Sequence, residues 1–229
     1  MTTSPSGYAG VIFDLDGVIV DTEHLWEQSW TASAKGRGYA WTAEDTTTVQ
    51  GMSAPEWARY LAERVGAPER ADEVEDECVQ FMIDKVLGGE GPLLDGAREL
   101  VTTVAELVPI AVASSAPRRL ISAVLAEHGL ADRFSALCSS EEVPRGKPAP
   151  DVYLEAARRL GLDPARGFGI EDSSNGMRAA HAAGLTLVAL PNRVYPPKPD
   201  ALALAEFVAD DHAKARDFLV GRLSEGARR

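Results

Sequence analysis

Five short apolar runs along the chain each stop at polar residues and give way to a helical pattern. They are "YAGVIF", ending at Asp14; "VPIAVA", ending at Ser114 and Ser115; "FSALCSS", leading into "EEVPRGKPAP"; "RGFGI", ending at Glu171 and Asp172; and "LTLVAL", ending at Pro191. Runs of this length bounded by turn residues read as buried strands. Between them, "DGARELVTTVAEL", "RRLISAVLAEHG" and "DVYLEAARRLG" space their apolar residues at helical intervals, the last two stopping at glycine. Pro117 suits the first turn of the next helix. Strand and helix in alternation predict an α/β fold, a doubly wound parallel sheet with helices on both faces.

One region breaks that rhythm. From Thr22 to Pro92 the sequence offers helical segments rich in Ala, Glu and Trp and no convincing strand. "SAPE" at Ser53 to Glu56 has capping-box spacing with proline inside the first turn, so a helix is expected to start there. "GGEGP" at Gly88 to Pro92 reads as the return. The expected organisation is a core built from 1–21 and 93–229, with a helical insertion over 22–92.

In a doubly wound sheet, ligands bind beyond the carboxyl ends of the strands. Asp14 and Asp16, Ser114, Lys147, and the Glu171–Asp172 pair each follow a different predicted strand, so they are expected to meet at one rim. Carboxylates removed from water are costly unless paired or bound to a cation. Asp14, Asp16, Glu171 and Asp172 are too many acids for one small space without such a cation. An all-oxygen donor set suits Mg²⁺, which commonly pairs with a substrate phosphate. Lys147 adds a positive point charge, and Ser114 precedes helix-opening amides that suit an anion.

The chain of 229 residues carries a formal net charge of −12, which disfavours nucleic acid and anionic membranes as partners. A phosphorylated substrate is still compatible, because attraction is needed only locally. Attack by a carboxylate on a phosphate dianion at roughly 4 Å meets about 8 kcal/mol of repulsion at an effective dielectric near 20. A divalent cation and one lysine offset this. Attack by one Asp with proton transfer by the other is the natural chemistry. Gly17 permits the turn that brings the two together.

Taken singly, each piece has a plainer reading. DxDG alone is a solvated turn, Ser114 and Ser115 alone cap a helix, Lys147 alone is a surface lysine, and "EDSSNG" alone is a loop. Leu25 stands where a calcium loop needs an acid. His24, close to the DxDG stretch, reads equally as a substrate contact and as a hinge or packing residue; His128, His181 and His212 have no serine-nucleophile motif near them, and no nucleotide-binding fingerprint occurs. It is the ordered set, one member after each strand, that points to a site.

"FDLDGVIVDTE", "VASSA", "GKPAPDVY" and "GIEDSSNG" resemble the four successive motifs of the haloacid dehalogenase superfamily. The likeness is to the helical-cap group that includes beta-phosphoglucomutases and phosphoglycolate phosphatases. It covers the core and implies a Rossmann-like sheet with a helical cap. It also implies that Asp14 is a nucleophile forming an aspartyl phosphate, and that Asp16 protonates the leaving oxygen and then activates water. Ser114 and Lys147 would hold the phosphoryl group. Asp14, the Asp16 carbonyl and Asp172 would hold Mg²⁺, with Glu171 beside them or acting through water, and Thr22 would be the hinge residue contacting Asp16. An acid at Asp16 argues for phosphoryl transfer over dehalogenation.

The expected activity is Mg²⁺-dependent hydrolysis of a small phosphorylated metabolite such as a sugar phosphate. The alternative is a beta-phosphoglucomutase-like transferase. Gln50 and Ala54 stand where that group carries basic residues, and Trp26 stands at its cap histidine, which favours the phosphatase. A binding module without turnover is the remaining reading. Most of the aromatics Trp26, Trp30, Trp41, Trp57 and Tyr60 are expected to pack between insertion helices. Cys78 and Cys138 lack metal-type spacing and read as reduced thiols. No signal peptide or membrane-length apolar run is apparent, so a cytoplasmic protein is expected, with a monomer as its simplest state.

Overall fold

The computed structural model describes residues 7–227. Six parallel strands form one sheet in the order β3-β2-β1-β4-β5-β6. They are β1 (Gly10–Phe13), β2 (Ile110–Ser114), β3 (Ala136–Ser139), β4 (Gly167–Glu171), β5 (Thr186–Ala189) and β6 (Phe207–Val208). The first five correspond to the five apolar runs. At two residues, β6 is too short to stand out by pattern. Strand order reverses between β1 and β4, creating the crevice in which doubly wound sheets bind ligands.

Period-2 alternation divides the core between the two faces. Val11, Phe13, Val112 and Phe168 point to one side, while Ile12, Ala111, Ala113 and Cys138 point to the other. The first side is covered by α5 (Ala97–Ala105), α6 (Arg118–Glu127) and α10 (His212–Ala227); α7 (Asp151–Leu160), α8 (Ser174–Ala182) and the short α9 (Pro199–Leu202) cover the second. Both faces are therefore dry, as continuous apolar strands require. Cys78 and Cys138 are free and buried, and desolvation pushes their thiols up to about 12 and about 11.

Between β1 and α5 the chain forms α1 (Glu23–Gly36), α2 (Ala43–Val49), α3 (Ala54–Arg64) and α4 (Ala71–Leu87). Ser53 does open α3: the Glu56 carboxylate accepts the Ser53 amide at 2.8 Å and its hydroxyl at 2.6 Å. Asp45 organises the far end of the insertion. It accepts from the Thr42 amide and hydroxyl, from Tyr39 and Tyr60, and from Arg64.

The two connections to the core run side by side. Val20 and Leu93 form an antiparallel bridge, the Asp21 amide donates to Pro92, and the Leu94 amide donates to Ile19. The insertion then packs back over the sheet. Ser53 and Glu56 lie against Gly146, and Asn175 lies against Gly51. Among the described residues, no helix is long and apolar enough to cross a membrane.

Candidate active site

Strand register builds the site. Phe13 pairs with Ile170 on one side and Val112 on the other, and the Asp14 amide still donates to the Ile170 carbonyl at 3.0 Å. Asp14 therefore leaves the sheet level with Glu171. Lys147 joins them from the loop before α7, 133 positions from Asp14. Its ammonium donates to Asp14 Oδ1 at 2.8 Å and Glu171 Oε1 at 2.6 Å. All three side chains are buried.

Glu171 is held on every side. Tyr153 donates to Oε1 at 2.7 Å, while Oε2 accepts the Asp172 amide and the Ser173 amide and hydroxyl. With Lys147, these donors fill the lone-pair sites that a carboxylate offers. The carboxylate also lies flat on the first turn of α8, where a Cβ at Gly176 would come within 2.0 Å of it.

Asp16 lies two residues beyond Asp14 and is partly exposed. Its Oδ1 accepts from the Thr22 hydroxyl and from Trp26 Nε1, the latter at 3.2 Å. Thr22 and Trp26 are one helical turn apart and so reach the same atom. Ser114 is fully buried at the end of β2, and its Oγ accepts the Ala116 amide at 3.0 Å.

Asp14, Asp16, Ser114, Lys147 and Asp172 all line one cleft, whose enclosed volume is about 120 Å³. Thr22 and Glu171 sit behind its wall, hydrogen-bonded to Asp16 and Lys147 respectively. The opposite wall comes from the insertion. Trp26, Trp30 and Trp57 pack together with ring centroids 5.5 to 6.0 Å apart and also face the cleft. Core packing and cleft lining are thus one arrangement.

Sequence reasoning overlooked three residues. Asn192, after β5, donates through Nδ2 to Asp172 Oδ2 at 3.2 Å and to Glu23 on α1. It follows a strand end like the other site residues, and that signal was available. Tyr153 and the Trp26 indole are the other two. His128 and His212 serve the backbone: their Nε2 atoms contact the carbonyls of Gly91 and Val18.

Burial, then the Glu171 charge, push the Asp14 carboxyl up to about 8 despite Lys147. Burial, Glu171 and Asp14 likewise hold Asp172 well above the usual carboxylate range. For Lys147, desolvation is outweighed by Asp14 and Glu171, and its pKa rises. Asp16 is raised by burial against the pull of Thr22 and Trp26. Oxygens of Asp14, Glu171 and Asp172 lie within 4.8 Å of one another. Such a cluster of hard oxygen donors could hold a divalent cation.

A family model described as haloacid dehalogenase-like hydrolase matches residues 8–184, from the start of the sheet through the helix after β4. The chain belongs to this family. Among curated relatives, hexitol phosphatase B of Escherichia coli (strain K12) is 32% identical over 195 residues, covering 82% of this chain and 86% of that protein. Fructose-1-phosphate phosphatase YqaB of the same organism is 32% identical over 187 residues, covering 79% and 95%. Of the solved structures, CbbY from Rhodobacter sphaeroides in complex with phosphate superposes with a TM-score of 0.81 at 24% identity, covering 90% and 96%, a likeness of fold. As a haloacid dehalogenase-like hydrolase, the chain is an enzyme grouped by sequence with phosphomonoester hydrolases.

Proposed function

We propose that this haloacid dehalogenase-like hydrolase is a Mg²⁺-dependent phosphatase of small phosphorylated metabolites, sugar phosphates above all. The observation carrying this is the Lys147 ammonium on Asp14, beside Asp172 and facing the cleft that Asp16 shares. Lys147 occupies Asp14 Oδ1, and Oδ2 has no protein hydrogen bond among the described residues. In this reading Oδ2 attacks phosphorus, the ester P–O bond breaks, and Asp16 gives its proton to the departing alcohol oxygen. Asp16 then takes a proton from water as that water's oxygen attacks phosphorus, releasing phosphate and restoring Asp14.

Lys147 and Ser114 bind the phosphoryl oxygens, and Thr22 with Trp26 hold Asp16 in line. Asp14, Asp172 and the Asp16 carbonyl would ligate Mg²⁺, which supplies neutralising charge. Glu171, with its oxygens already occupied, supports Lys147 from behind. The segment 22–92 acts as a cap that excludes water from the first step. A phosphoglucomutase-like transfer needs a grip on a second phosphate, and besides Lys147 no Lys, Arg or His among the described residues lines the cleft.

The test is Asp14→Asn assayed for phosphate release from p-nitrophenyl phosphate with Mg²⁺. Loss of turnover is expected; activity close to wild type rejects the assignment.

A further inference from the structure

We propose that the cleft accepts monophosphates whose leaving group is uncharged and rejects those bearing a second anion, whether carboxylate or phosphate. This deepens the phosphatase reading and rests on it.

Charge carries the proposal first. The cleft is lined by Asp14, Asp16, Glu23 and Asp172, with Lys147 as the only cationic side chain among the described residues. The Lys147 ammonium is already shared between Asp14 and Glu171. Even with a divalent cation bound, the acids and an incoming phosphoryl dianion outweigh the positive charge. A further anion on the substrate would lose its water without gaining a counter-charge.

The wall opposite the chemistry carries it second. Trp26, Trp30, Trp57, Val49 and Met52 come from the insertion, and Tyr195 comes from the loop after β5. The three indoles are at most 9% exposed, so mutual packing fixes their orientation. The polar groups beside them, Thr46 and Gln50, are neutral. Such a wall suits C–H faces and hydroxyls and offers no counter-charge to a carboxylate.

Glucitol 6-phosphate and 6-phosphogluconate form a matched pair, equal in length and in the oxygen that leaves, differing at the far carbon. Phosphate release by the wild type gives kcat/KM for each. Fluorescence of the Asp14→Asn protein gives Kd without turnover. All four tryptophans, Trp26, Trp30, Trp41 and Trp57, lie in the insertion, and Trp41 packs on Trp30, so the signal reports this wall. The neutral ester is expected to lead by roughly tenfold or more in both measures. Gln50→Lys is expected to narrow the ratio roughly threefold by strengthening the acid ester.

Equal or better binding of 6-phosphogluconate overturns the proposal, even if p-nitrophenyl phosphate is hydrolysed normally. A tenfold binding preference with no phosphate release from any ester overturns the phosphatase reading while supporting charge selection. Binding of neither ester overturns the selection.

Discussion

Gly17 and Asp172 occupy space that admits only one side chain: a Cβ on Gly17 would stand 2.1 Å from Asp172 Oδ2. Gly17 also has φ +75°, a conformation that side chains disfavour. The turn after Asp16 and the placement of Asp172 are therefore a single fitted unit. Gly17→Ala is expected to destabilise the fold by about 1–3 kcal/mol from backbone strain. Displacement of Asp172 should lower kcat/KM on the order of 10²-fold. Urea unfolding and steady-state kinetics check the two effects separately.

Tyr153 makes a second prediction. Its hydroxyl is a buried donor to Glu171 Oε1, and a hydrogen bond to a charged group contributes about 2 kcal/mol. Tyr153→Phe should lose roughly that much stability in urea titration. An unchanged urea midpoint would show that Lys147 and the backbone amides alone suffice for Glu171.

Asn192 ties α1 to the proposed cation site, because one amide nitrogen serves Glu23 and Asp172 together. Removing a group that orients a metal ligand typically weakens affinity 10–100-fold. Asn192→Ala should raise the Mg²⁺ concentration giving half-maximal activity by roughly 10-fold or more, with activity recovering at saturating Mg²⁺. A Mg²⁺ titration checks this.

Asp45 predicts an acid-side loss of stability. Burial acts to raise its carboxyl, but hydrogen bonds from Thr42, Tyr60 and Tyr39 outweigh it and hold it at about 2, against an ordinary value of 3.8. A folded-state value below the unfolded one means that the stabilisation is complete above about pH 4 and is lost as pH falls toward 2. Urea midpoints followed across that window should fall less steeply in Asp45→Asn than in wild type. Parallel curves would sink the assignment.

Much of this was legible because strand topology is a sequence property. Asp14, Ser114 and Glu171 sit at or just beyond strand ends, and the parallel order brings such ends to one rim wherever they fall in the chain. Lys147 was legible for the same reason, as part of the polar cluster after β3. Tyr153 and the Trp26 indole were not. Each lies on a helix face whose apolar spacing marks it as buried, and burial alone does not say where the polar tip of an aromatic ring ends. Strand β6 escaped because Phe207 and Val208 are held by pairing with β5 rather than by any pattern of their own.

The Val20–Leu93 bridge has a further implication. The insertion enters and leaves at neighbouring rungs of one short ladder, so the sheet is indifferent to how much chain lies between them. All six strands find their partners without a residue of the insertion. Change in the insertion is bounded at its first turn, where Thr22 and Trp26 reach back to Asp16.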